Sequence, residues 1–293
     1  MPLRQIYPDP NPENSSSVTS GIATKVDIVA VHGLNPRGKK RAEHAWDTWR
    51  SPSGPQGRLW LRDDLPKDLP DSRIFLYEYN STVAYGKDRS TFIDRANRLL
   101  EEIRIERYSC KSRPIIFIGH SMGGLLIKQA LINAHNNTKY TPIKLATKGL
   151  VFFATPHYGG DGRLVTLGDA AYRIATSLGF QKGGDVLETL KRKSIFSNIM
   201  HEQWRHQLEL YQIISFWGTS DSVVPRRSAR LNLPGDREHI VPLDAGHSRI
   251  CKFGLTQTDD DNFKLVRRNI RELYETAKES TYTGQLSAKP SAT

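Results

Sequence analysis

Four consecutive apolar residues, Ile115, Ile116, Phe117 and Ile118, run directly into Gly119-His120-Ser121-Met122-Gly123, and a strongly apolar helical pattern runs directly out. A chain that passes from strand to helix through one residue leaves no room for a Cβ two positions to either side of the turn. Gly119 and Gly123 meet that demand, and Gly124 lets the helix approach the sheet. The turn forces Ser121 into a strained backbone conformation and lifts its hydroxyl clear of the chain. The pattern is the G-x-S-x-G nucleophile elbow, and Ser121 is the expected nucleophile. A structural turn with an idle serine is the competing reading, and a strand before the motif with a helix after it disfavours that reading.

An elbow of this kind requires a parallel strand inside a covered sheet, and the rest of the chain alternates accordingly. Residues 26–31, 73–79, 114–119, 149–154 and 212–217 read as buried strands, with a sixth at 239–243. Helical spacing is clear at 91–108, through Phe92, Ala96, Leu99, Leu100 and Ile103, and at 261–278, through Phe263, Val266, Ile270, Leu273 and Tyr274. Residues 121–135 are apolar nearly all round, as a helix at the centre of a domain would be. This is a mostly parallel central sheet with helices on both faces, the α/β-hydrolase fold. The domain is expected at 24–279, with disordered segments at 1–23 and 280–293. The stretch 158–211 interrupts the alternation and reads as a small helical cap, the plainer reading being a crossover helix plus a loop.

The remaining parts of a serine-nucleophile site follow in the chain order this fold requires. Asp221, in Gly218-Thr219-Ser220-Asp221-Ser222-Val223-Val224-Pro225 just beyond a strand, is the expected acid. His247, after the last strand in Asp244-Ala245-Gly246-His247-Ser248, is the expected base. Asp244 rivals Asp221 but stands only three residues from the histidine. The amides of Leu34, in Val31-His32-Gly33-Leu34 after the first strong strand, and of Met122 are the expected oxyanion hole. His32, His120, His157 and Tyr158 lie at strand ends on the same edge and are expected to line the substrate site.

Residues 33–40 also fit the phosphate-loop pattern G-x-x-x-x-G-K, yet position 40 is Lys where a magnesium-binding hydroxyl belongs. No metal or cofactor is called for. Two cysteines, Cys110 and Cys251, are too few for a disulfide framework and read as free thiols. The N-terminus lacks the apolar run of a secretory signal, so the reading is an intracellular protein, not a secreted one. Lys and Arg outnumber Asp and Glu 42 to 31, a formal net charge of +11. The basic clusters at 37–41, 191–193, 226–230 and 267–268 are not interleaved with aromatics, which argues against nucleic acid. Solubilising charge or an anionic membrane surface remain as readings of the excess.

Together, residues 28–34 (IVAVHGL), 114–128 (PIIFIGHSMGGLLIK), 148–159 (KGLVFFATPHYG) and 223–253, ending in DAGHSRICKF, resemble a lipase-like branch of α/β-hydrolases. That branch includes the serine-active-site-containing proteins of animals and the SesB-type domains of fungi. The resemblance spans roughly residues 25–275. It implies carboxylic ester chemistry on lipid or phospholipid acyl esters, and a place in the cytoplasm or peripheral on mitochondrial or endoplasmic reticulum membranes. The alternatives are a membrane-associating signalling or effector module with little turnover, or a thioesterase. One departure is notable: relatives often carry a glutamate directly after the seventh strand, where this chain has Gly218, so the acid has passed to Asp221.

Overall fold

The computed structural model describes residues 2–10, 24–35, 39–81, 89–157, 174, 176, 204 and 206–286. Within them one sheet is formed by β1 (Leu3–Tyr7), β2 (Val26–Val31), β3 (Ser72–Tyr77), β4 (Ile115–His120), β5 (Thr147–Phe153), β6 (Gln212–Gly218) and β7 (Glu238–Leu243). Its order is β1-β3-β2-β4-β5-β6-β7, all pairs parallel except β1 with β3. Each of the six expected strands is present, with ends within two residues of the expected ones. The main helices are α1 (Arg41–Trp49), α2 (Arg89–Glu106), α3 (Met122–Asn136) and α4 (Gln257–Leu286).

Because successive strand residues point to opposite faces, an all-apolar strand builds two cores at once. Val29, Val31, Ile115, Phe117, Leu150, Phe152 and Ile213 pack on one face with α2 and α3. Their neighbours Ile28, Ala30, Ile116, Ile118, Val151, Phe153 and Ile214 pack on the other with α1 and α4. Twelve of the fifteen residues of α3 beyond Ser121 are buried, which is why its sequence lacks a polar stripe.

Two expectations for the termini are corrected. Residues 1–23 are not disordered throughout, because Leu3–Tyr7 adds an antiparallel edge strand with Leu3 opposite Tyr77. Its signal is weak because only Ile6 of its five residues is fully buried, while its ladder partner lies about 70 residues away. At the other end α4 continues past residue 279 to Leu286, since each residue added to a formed helix gains a hydrogen bond without a new nucleation cost. The expected cap at 158–211 lies outside the described residues, apart from 174, 176, 204 and 206–211. Among the described residues no helix is long and apolar enough to cross a membrane.

At the amino-terminal edge of the sheet, Asp27 is fully buried at the start of β2. Arg73 donates to it through Nε and Nη2 at 2.8 and 3.1 Å, Arg113 donates at 3.1 Å, and the buried Arg107 guanidinium closes the cluster. One carboxylate thus ties β2, β3, the turn after α2 and the entry to β4. Removing this carboxylate leaves the buried Arg107 guanidinium beside Arg73 and Arg113 without its ionic partner. Asp27→Ala is therefore expected to lower stability by about 3–5 kcal/mol, read as a shifted urea midpoint at unchanged slope. A shift below about 1 kcal/mol would show that the cluster contributes no more than a surface pair.

Candidate active site

Ser121 follows β4 at φ 52°, ψ −124°, a conformation rare for a residue with a side chain. It is held there by several contacts. Its amide donates to Phe153 O at 2.8 Å on the neighbouring strand, and its carbonyl accepts from the Gly124 amide at 3.1 Å. The glycines around it have no space to spare. A Cβ at Gly123 would fall 2.2 Å from Val31 O, and one at Gly124 would fall 2.2 Å from Thr155 Oγ1. A Cβ on Gly119 would meet Gly124 Cα at 2.7 Å. The turn is thus enforced by backbone packing against β2 and β5.

Three strand-end loops bring the expected nucleophile, base and acid together. His247 Nδ1 lies 2.9 Å from Asp221 Oδ2, and His247 Nε2 lies 3.0 Å from Ser121 Oγ. A carboxylate can only accept, so Nδ1 carries the proton and Nε2 is left to accept from the serine hydroxyl. Both oxygens of Asp221 are committed, since Oδ1 accepts from the amides of Val223 and Val224 at 2.8 and 2.9 Å. Burial pushes the Asp221 carboxyl up, but the His247 hydrogen bond and charge, with those two amides, outweigh it and hold it below its ordinary value.

Asp244, the sequence rival, accepts instead from the Thr219 hydroxyl, and its backbone exchanges two hydrogen bonds with the Asn262 side chain. Gly218 is also accounted for: a Cβ there would sit 2.2 Å from Ala245 O and 3.0 Å from Asp221 Cβ. A glutamate cannot stand at that position with this loop in place.

His247 is steadied from a second side. His120 Nε2 lies 3.1 Å from the His247 carbonyl, which can only accept, so His120 donates from Nε2. Burial, with the neighbouring His247, pushes the His120 imidazole down to about 3, leaving a neutral ring. The loop beyond His247 is pinned by Trp60 Nε1, which donates to Cys251 O at 2.9 Å, and by buried Ile250 and Phe253.

Of the two residues expected to form the oxyanion hole, Met122 follows Ser121 directly and Leu34 lines the same cavity as Ser121. Met122 opens α3, so its amide belongs to the set with no acceptor inside the helix. The turn carrying Leu34 is tightly fixed. Gly33 O accepts from His32 Nδ1 at 2.9 Å and from His44 Nε2 at 3.3 Å, while the Asn35 amide donates to Ser81 O at 2.8 Å. Burial pushes His44 down to about 4 and His32 well below its ordinary value, so both donors are neutral. A Cβ at Gly33 would meet Ser121 Cβ at 3.0 Å, which places this turn directly against Ser121.

A cavity of about 430 Å³ opens beside Ser121. Of the expected lining residues, His120 faces it. His32 does not: it is fully buried and stacks on Tyr79 at 4.3 Å, because its side chain points along the sheet rather than out of its edge. His157 is likewise turned inward, edge-on to Phe152 and 3.4 Å from Lys128 Nζ. Tyr158 lies outside the described residues. The sequence reading missed a wall formed by the charged Lys39, Asp47, Arg249 and Lys252 with the neutral His44. The only advance signal was the position of Ser248, Arg249 and Lys252 directly after the base. Among the described residues no group of three or more His, Cys, Asp or Glu side chains is gathered as metal ligands.

Residues 28–181, just over half of the chain, match the family model described as "Putative serine esterase" (DUF676). The chain belongs to this serine esterase family. It is similar to the protein SERAC1 of Homo sapiens, 27% identical over 257 residues, which is 78% of this chain and 36% of that protein. The Danio rerio SERAC1 is 26% identical over 260 residues, again 78% of this chain and 36% of that protein. The chain therefore spans about a third of the length of these relatives. Among solved structures, the mature lipase BlEst2 of Bacillus licheniformis aligns with a TM-score of 0.51 at 18% identity, over 92% of this chain and 97% of the lipase. The family member is an α/β-hydrolase in fold.

The fit of the Gly33 turn against Ser121 makes a prediction. Gly33→Ala is expected to fold, with its melting temperature within a few degrees of wild type. Its rate of covalent labelling by a fluorophosphonate is expected to fall at least about tenfold, because displacing a reacting group by less than 1 Å is costly. Labelling at the wild-type rate would mean that the turn does not need its present distance from the serine.

Proposed function

We propose that this esterase cleaves carboxylic esters, acyl esters of lipids or phospholipids among them, through an acyl-enzyme on Ser121. The single observation that carries this is the continuous hydrogen-bonded line from Ser121 Oγ through His247 to Asp221, at 3.0 and 2.9 Å. In the proposed mechanism His247 Nε2 takes the hydroxyl proton as Ser121 Oγ attacks the ester carbon. Asp221 accepts the Nδ1–H throughout, fixing the tautomer and stabilising the imidazolium that forms. The amides of Leu34 and Met122 receive the developing oxyanion, each such donor contributing about 3–4 kcal/mol in comparable sites. The imidazolium then protonates the departing alkoxide. Water enters by the same route in reverse to release the acid and restore Ser121.

The neutral state of His120, His44 and His32 suits this chemistry. Three rings held at backbone carbonyls as fixed donors position the base and the oxyanion turn without competing for its proton. Leu34, Ile174 and Leu255 give the cavity apolar wall for an acyl chain. The net charge of +11 favours approach to the anionic membrane surfaces at which lipid esters are held.

The test is covalent labelling with a fluorophosphonate, read by intact mass. One adduct is expected on wild type and none on Ser121→Ala or His247→Ala. Asp221→Asn should keep the fold and lose about 10⁴-fold in turnover of an activated ester, because the tautomer that frees Nε2 is no longer enforced. Full ester turnover by Ser121→Ala would remove the mechanism. A folded wild type that takes no label and turns over no ester would instead favour a binding module.

A further inference from the structure

The cations around the cavity differ in how they are compensated. Lys39 Nζ is 2.6 Å from Asp47 Oδ2, and Arg249 is 3.0 Å from Asp259. Asp47 has no oxygen to spare, since its Oδ1 accepts the Gly54 amide at 2.9 Å and lies 4.0 Å from Arg50. Lys252 is the exception. It is half-buried in the cavity wall and donates to the neutral Ser53 hydroxyl at 3.0 Å, and among the described residues no carboxylate lies within 4.0 Å of it.

We propose that Lys252 is an anion-binding residue of this cavity, selecting esters that carry a carboxylate or phosphate group within reach of Ser121. This rests on the ester-hydrolase reading of Ser121. An ammonium taken partly out of water and given one neutral partner is poorly solvated, and a substrate anion supplies the missing acceptor through a charge-assisted bond. Burial pushes the lysine below its ordinary value and outweighs the more distant Asp47 carboxylate, which favours the charged form; a bound anion would relieve that burial. Its place is built rather than loose. Lys252 belongs to the loop that delivers His247, and the Lys252 amide donates to Arg249 O at 2.8 Å. The loop is anchored by Trp60 at Cys251 O, directly beside Lys252. Neutral esters gain nothing from this wall, and the discrimination falls on charge borne near the scissile bond.

The experiment compares kcat/KM for mono-p-nitrophenyl succinate, which is anionic, with p-nitrophenyl valerate, its neutral counterpart of similar length. The proteins are wild type, Lys252→Met and Lys252→Arg, each checked for folding by thermal melting. The anionic-to-neutral ratio is expected to fall at least about tenfold in Lys252→Met, mainly through KM, and to return in Lys252→Arg. In wild type the ratio should also fall as salt is raised towards about 1 M, whereas Lys252→Met should be insensitive. A ratio unchanged across the three proteins overturns the proposal.

Calorimetric binding of succinate and of inorganic phosphate separates this failure from failure of the ester-hydrolase reading. If wild type turns over neither ester, at least about tenfold weaker binding of either anion to Lys252→Met still supports the site. Equal binding to both proteins overturns it. The anion bound more tightly by wild type distinguishes a carboxylate site from a phosphate site.

Discussion

The constraint on which the rest of the structure depends is the contact between the backbone of α3 and the ends of β2 and β5. Gly123 lies under the carbonyls of Val31 and His32, and Gly124 lies against Thr155, with no room for a methyl group at either position. That approach allows a helix to begin one residue after a buried strand, and it forces Ser121 to a positive φ. Such a conformation costs on the order of 1–3 kcal/mol and persists only where its surroundings over-determine it. Here they do so from both sides, through the Ser121 amide on Phe153 and the Gly124 amide on Ser121. The apolar residues of α3 and β4 hold both elements in place with their two cores, so hydrophobic packing sustains the strain at the serine.

Around that fixed point the site is assembled almost entirely by hydrogen bonds to backbone carbonyls. His120 holds the carbonyl of His247, His44 and His32 hold that of Gly33, Trp60 holds that of Cys251, and Tyr79 holds that of His32 at 2.8 Å. These donors carry no charge at neutral pH, so the local electrostatics are left to Asp221 and to the charged wall of the cavity. The cluster on Asp27 lies at the opposite end of the strands. The two ends of the sheet are therefore specialised, one for cohesion and one for loops with free functional groups, as expected for parallel strands whose carboxyl ends face a crevice.

Much of this was legible in the sequence, for reasons that can be named. Ser121, Asp221 and His247 each follow a strand and sit in turn chemistry of limited choice, so local pattern and chain order led to the three side chains that the structure brings within hydrogen-bond distance. Residues whose role depends on side-chain direction were not legible. His32 and His157 occupy the right edge, but one lies along the sheet on Tyr79 and the other turns in against Phe152. The cavity's charged wall was hidden because Lys39, His44 and Asp47 look like the solvated face of a short helix. They become a wall only when α1 packs beside the loop of His247. The edge strand at Leu3–Tyr7 was lost because its pairing is long-range and its buried surface is a single isoleucine.

The glycine at position 218 has a consequence for how such sites can change over time. The space a side chain would need there is occupied by the carbonyl of Ala245, two residues before the histidine. A carboxylate delivered from 218 and the present course of the histidine loop are mutually exclusive occupants of one volume. Moving the acid between the strand end and position 221 is therefore not a one-step exchange of side chains. The two arrangements are separated by a rebuilt loop, and an intermediate with either half of the change alone loses both the room for one acid and the orientation of the other. A glutamate at 218 accordingly calls for a different path of the segment before the histidine.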